Sequence, residues 1–158
     1  MFTRRVVSLE PGCFVILLAF ISGCGSSPSG PPLHPVSGTV KLGSEPLSDA
    51  QVIFTPKGGG ATAMANTDSG GRYTLEYTGN AKGVPVGEYA VSISTFRPEP
   101  EVTDGAPSPP AAKERVPMVY NQKTTLVAKV PGDAGAFDFN LNATAGKVTE
   151  PPVPRGNN

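Results

Sequence analysis

Catalysis by side chains needs a nucleophile within reach of a base, and a metal centre needs three or four ligands at defined spacing. This chain of 158 residues holds one histidine and two cysteines. His34 stands in Pro31-Pro32-Leu33-His34-Pro35 with no Asp, Glu or Cys spaced to pair with it, so it reads as a solvated linker residue. Neither H-x-x-E nor H-E-x-x-H occurs. The common zinc sites and the Ser-His-Asp and Cys-His nucleophile systems are therefore excluded, and neither a metal nor a cofactor is expected. Thr67-Asp68-Ser69-Gly70 begins like a calcium loop, but it lacks the further acids at alternating positions and the closing Glu. It reads as a turn.

The cysteine that does carry a message is Cys24. Arg4 and Arg5 make a positive start, and Cys13–Ile21 is an apolar run of nine residues. That is the length of a signal h-region and too short to span a bilayer. Ser22 and Gly23 are small, as a signal peptidase requires, and Gly25–Pro35 is rich in Gly, Ser and Pro. Ile21-Ser22-Gly23-Cys24 is similar to the lipobox of bacterial lipoproteins. The resemblance implies that residues 1–23 are a lipoprotein signal peptide and that Cys24 is the lipidated N-terminus of the mature chain. Residues 24–35 would then be a lipid-anchored linker in extended, polyproline-like form. Loss of Cys13 with the leader would leave Cys24 alone, so no internal disulfide can form.

The elements that would be displayed on this tether are strands. Charged residues are only 16% of the chain, and the 13 basic residues equal the acidic ones in number. No basic stripe exists to neutralise phosphates, which excludes nucleic acid as a partner. Nineteen glycines and 18 prolines favour short strands joined by turns over long helices. Period-2 alternation predicts strands at 36–42, 50–56, 62–67, 72–77, 88–95, 124–130 and 136–141. Parity puts Ala50, Val52, Phe54, Tyr73, Leu75, Tyr89, Val91, Ile93, Leu126, Ala128, Val130, Phe137, Phe139 and Leu141 inside. Seven short strands over 36–142 predict an all-β, two-sheet sandwich. Residues 96–117 hold six prolines and read as a long, mobile, exposed loop. The alternation of Val116, Met118 and Tyr120 reads as a strand lead-in. Residues 143–158 read as a disordered tail.

The ordered motifs carry a second resemblance. "VSGTVKLGSEPLSDAQVIFTP" looks like the opening of carboxypeptidase regulatory-like domains, with Val36, Gly38, Val40, Pro46, Leu47, Ala50, Val52 and Phe54 at the matching positions. Glu45 stands where a smaller residue or a Gly sometimes does. "ANTDSGGRYTL", "GVPVGEYAVSI" and "VPMVYNQKTTLVAKVPGDAGAFDFNL" match later blocks of the same pattern. The resemblance covers most of the mature chain. It implies a seven-stranded Greek-key β-sandwich of transthyretin-like (prealbumin-like) type and a non-catalytic module, since peptidase activity in that family belongs to the neighbouring domain. The transthyretin fold does include a hydrolase of 5-hydroxyisourate, but that enzyme needs several histidines and a C-terminal Tyr-Arg-Gly-Ser, and this sequence has neither.

Two rarer chemistries of related sandwiches remain. Collagen-adhesin repeats of a related family close a buried Lys–Asn or Lys–Asp isopeptide bond beside an acid, and Lys41, Asp138 and Glu76 lie in suitable strands. Parity points all three to solvent, where a lysine stays charged and unreactive. Starch-binding modules of the same broad fold stack sugars on exposed aromatic rings. This chain has no Trp, and removal of the inward rings leaves Tyr77, Phe96 and Tyr120 as possible ligand contacts. The sequence thus points to an envelope lipoprotein held on the cell membrane or outer membrane. Its partners would be membrane lipid at the anchor and an envelope protein or glycan at the displayed domain.

Overall fold

The computed structural model describes residues 30–99, 109–131 and 137–152. The leader, Cys24, most of the linker, residues 100–108 and residues 153–158 lie outside them. The fold set out below is that of the unit beginning at Pro31.

Eight strands form two four-stranded sheets: β1 Ser37–Leu42, β2 Glu45–Pro46, β3 Gln51–Pro56, β4 Ala63–Asn66, β5 Arg72–Thr74, β6 Gly87–Ser94, β7 Leu126–Val130 and β8 Phe139–Leu141. In one sheet β1 pairs antiparallel with β2 and β5 and parallel with β8. The other runs β4-β3-β6-β7, antiparallel throughout. Each of the seven alternating runs contains a strand, and the two-residue β2 is an addition. Among the described residues, helix is confined to single 3-10 turns at Thr78–Asn80 and Met118–Tyr120. No helix among the described residues is long and apolar enough to cross a membrane.

Alternation decides which side chains meet. Val52 and Phe54 of β3 are buried between exposed Gln51 and Thr55, and Tyr89, Val91 and Ile93 repeat the pattern in β6. They join Val40, Tyr73 and Leu141 from the other sheet, and Val36 and Leu75 flanking its strands, in one core. Phe54 is its hub. Its ring centroid lies 5.8 Å from Tyr89, 6.0 Å from Phe137 and 6.3 Å from Phe139. The tilted and edge-on geometries are those that aromatic quadrupoles favour. Phe137, Phe139 and Leu126 are only partly buried at the margin.

Gly38, Gly71 and Gly83 each leave no room for a Cβ against neighbouring backbone, and the first two sit where strands meet. A Cβ on Gly38 would sit 1.7 Å from the Phe137 carbonyl oxygen, so β8 can approach β1 only past a bare Cα. Gly71 takes φ +73° after Asp68, and a Cβ there would lie 2.4 Å from the Val40 carbonyl oxygen.

Four segments differ from the sequence reading. His34 is part-buried and paired, its backbone exchanging hydrogen bonds of 2.8 and 2.9 Å with Val84. The domain therefore begins before Val36. The 96–117 segment is anchored at both ends: Arg97 and Ala112 exchange two 2.9 Å backbone bonds, and Glu114 and Val116 are buried. Met118–Tyr120 is a 3-10 turn, not a strand lead-in. Pro117 sets φ at −56° and accepts the Tyr120 N–H, and the Asn121 N–H closes on the Met118 carbonyl. Finally, residues 143–149, read as tail, lie along that turn. The Met118 N–H donates to the Lys147 carbonyl at 2.9 Å, and Gln122 Nε2 donates to the Thr149 carbonyl at 2.9 Å.

Candidate functional site

β4 and β5 are consecutive strands joined by the turn Asp68–Gly71, yet they belong to different sheets. Their hairpin is closed at both ends. Near the turn, the Asp68 N–H donates to the Arg72 carbonyl at 2.9 Å and the Gly71 N–H to the Asp68 carbonyl at 2.9 Å. The Asp68 carboxylate secures the same turn. Its Oδ1 accepts the N–H groups of Gly70 (2.8 Å) and Arg72 (2.9 Å), and its Oδ2 meets Arg72 Nε at 2.9 Å. The Arg72 backbone N–H and then its guanidinium hold the Asp68 carboxyl below the usual carboxylate range. Its oxygens are thus engaged by its own hairpin, in keeping with a turn. Among the described residues, no group of three His, Cys, Asp or Glu side chains is placed to hold a metal.

At the other end, Met64 and Glu76 exchange two backbone bonds of 3.0 Å. Between the ends the strands part. Asn66 follows β3 through its pairing with Gln51, and Thr74 follows β1 through Ser37. A cleft of about 570 Å3 opens beside the parted strands. Its lining residues are the amide-bearing Gln51, Asn66 and Asn80, the threonines Thr62, Thr74 and Thr78, Glu76, and Tyr77 with Met64 and Ala65. No Lys or Arg lines it. The Tyr77 ring packs partly on the core, and its backbone N–H donates to the Ala81 carbonyl at 2.7 Å.

The three aromatic residues singled out from the sequence do not share a platform. Tyr77 lines this cleft. Phe96 lines a separate one of about 550 Å3 with Arg97, Lys113 and Glu150. Tyr120 packs against the core, and its hydroxyl accepts the Asn142 N–H at 3.2 Å, so it clamps the segment after β8. Lys41, Glu76 and Asp138 are all exposed. Asp138 Oδ1 accepts both the hydroxyl and the N–H of Thr39 at 2.7 Å, which ties β8 to β1 and holds that carboxyl below its ordinary range. Cys24 lies outside the described residues.

The sequence reading missed Gln51, Asn66, Thr74 and Asn80. The first three occupy the outward parity of β3, β4 and β5, the positions that alternation marks as solvent-facing. It also missed Glu114, the most heavily bonded carboxylate among the described residues. Oε2 accepts from Ser94 Oγ at 2.5 Å and Asn121 Nδ2 at 3.0 Å. Oε1 accepts the N–H groups of Thr95, Arg115 and Val116 at 3.0 Å each. These donors consume its lone pairs, so its work is to moor the 113–121 segment to the end of β6.

In comparisons with known proteins, no protein family, curated protein or solved structure matches this chain.

Proposed function

We propose that this protein is a bacterial envelope lipoprotein, anchored in the cell membrane or outer membrane through lipid on Cys24, that displays a non-catalytic transthyretin-like β-sandwich of the carboxypeptidase regulatory-like kind for structural or interaction work. The observation that carries it is the border at Cys24, where an apolar run and two small residues meet a Gly/Ser/Pro tether. Two acyl chains on a diacylglyceryl group, or three with an N-acyl chain, make such an anchor stable.

The fold supports the displayed part of the reading. The chain crosses between sheets after β2, β4, β5 and β7, which fits Greek-key winding. Gly38, Phe54, Gly71 and Tyr89, all from the motif blocks, serve close approach, core and turn. The buried polar residues Thr67, Thr95, Glu114 and Asn121 serve the fold. The Thr67 hydroxyl, for example, donates to the Leu47 carbonyl at 2.6 Å and accepts the Ala50 N–H at 2.9 Å.

Fractionation with mass spectrometry tests the anchor. Wild-type protein is expected in the membrane fraction with a diacylglyceryl mass on Cys24, and Cys24→Ser is expected in the soluble fraction or unprocessed. An unmodified thiol at Cys24 in the mature wild-type protein sinks the proposal.

A further inference from the structure

The parted strands of the β4–β5 hairpin leave backbone groups outside any ladder. Both backbone groups of Met64 point across to Glu76. Direction repeats every second residue along a strand, so those of Asn66 point the same way and those of Thr74 point back. Asn66 and Thr74 would be the next pair of a ladder, but β4 and β5 form no ladder, so this pair does not exchange the two bonds that Met64 and Glu76 do. The N–H and carbonyl groups of Asn66 and Thr74 therefore face a gap that no ladder closes, beside the cleft residues Gln51, Asn80 and Tyr77.

We infer that this cleft binds a neutral glycan. Closely spaced donors and acceptors call for a ligand whose groups can both donate and accept, as sugar hydroxyls do. The Tyr77 ring calls for an apolar face, which the C–H side of a sugar ring offers. Glu76 without a lining cation repels phosphates and uronic acids, and a single carboxylate is poor recognition for a cation. A peptide adding as a strand needs a run of free edge, whereas this gap is one residue pair between two closed ends. The volume falls within the roughly 300–1,000 Å3 of small-ligand sites. The inference gives the display module of the proposed function its partner, and it holds or fails independently of the lipid.

The test is an amide-shift titration of the full-length protein, purified in a detergent without a sugar headgroup. The probes are tetrasaccharides of glucose, mannose and N-acetylglucosamine, with a galacturonic acid tetramer for contrast. At least one neutral probe is expected to shift the Asn66, Thr74 and Tyr77 amides saturably. Thr74→Val and Gln51→Ala should each weaken it about three- to tenfold with the melting temperature retained. Tyr77→Leu, which keeps apolar volume against the core, should weaken it about tenfold. If Tyr77→Leu unfolds, the other two variants carry the test. Three outcomes overturn the inference: no probe shifts these amides, saturable shifts centre on Arg97 and Ala112 instead, or the acidic tetramer binds more tightly than every neutral one. Failure here with diacylglyceryl still found on Cys24 leaves the anchored display module standing.

Discussion

Glu114 illustrates how one buried carboxylate can hold a segment that has few apolar contacts. Its six donors come from five residues, Ser94, Thr95 (N–H and hydroxyl), Arg115, Val116 and Asn121, so a single side chain satisfies three backbone N–H groups near the end of β6 and along the mooring. Glu114→Ala leaves those donors without partners in a dry site and is expected to cost roughly 2–4 kcal/mol in chemical denaturation. Amide exchange at Thr95, Arg115 and Val116 should quicken far more than exchange in β3. Unchanged exchange there would show that the carboxylate is ornamental. Phe54 is the apolar counterpart. Its ring has no exposed surface and touches three other aromatics. Phe54→Ala should therefore cost about 3–5 kcal/mol, the range for emptying a full aromatic site. A loss under about 1 kcal/mol would contradict the burial of the β3 inner face.

Among elements, the junction of β1 with β8 is the most constrained. Gly38→Ala places a methyl group inside the contact distance of the Phe137 carbonyl, which β8 can relieve only by moving off β1. Overpacking of this kind costs about 1–3 kcal/mol or more, and amide exchange should rise first at Phe139–Leu141. The 96–117 segment behaves differently from a free loop. Replacing Pro98–Lys113 by a short Gly/Ser bridge removes Ala112, which pairs with Arg97, and the Lys113 carbonyl, which accepts the Thr95 hydroxyl at 3.0 Å. The domain should still fold, but with a loss of about 1–3 kcal/mol, more than the tenths expected from loop closure alone. These cases also mark what is legible in the chain. The seven strands were legible because each is half-buried, so Val52 and Phe54 alternate with Gln51 and Thr55. Glu114 was not, since its partners Ser94 and Thr95 lie 20 and 19 residues away and a Glu among prolines reads as solvated. Tyr77 was found by removing the inward rings. Asn66 and Thr74 were not, because the gap between them comes from their strands belonging to different sheets, which no local pattern encodes.

For the whole molecule, protonation sets the limits within which the sandwich holds. On the acid side three carboxyls are held below their ordinary range: Asp68 by the Arg72 backbone N–H and guanidinium, Glu88 by its bond to Lys57, and Asp138 by the Thr39 hydroxyl and N–H. A carboxyl whose folded pKa lies below its unfolded value stabilises the fold above the unfolded value, near 4. That stabilisation is lost as pH falls through the folded values. All three groups are on the surface, so each contribution is small, and the Lys57–Glu88 part should weaken with added salt. On the alkaline side two phenols are held above theirs. Burial raises Tyr73 and Tyr89, helped by the Asp138 charge at the first and by Tyr77 at the second. Here the sign reverses. Stability is complete below the unfolded value near 10 and declines as pH rises toward the raised ones, because the unfolded chain ionises first. Melting temperatures followed by circular dichroism should therefore form a plateau between about pH 5 and 9, with a fall below about 4 and another above about 10. Asp138→Asn should make the acid fall shallower, since the carboxyl that gains most from Thr39 no longer titrates, while leaving the plateau in place. A steady loss across pH 5–8, or an acid limb as steep in Asp138→Asn as in the wild type, would show that other groups govern the transition.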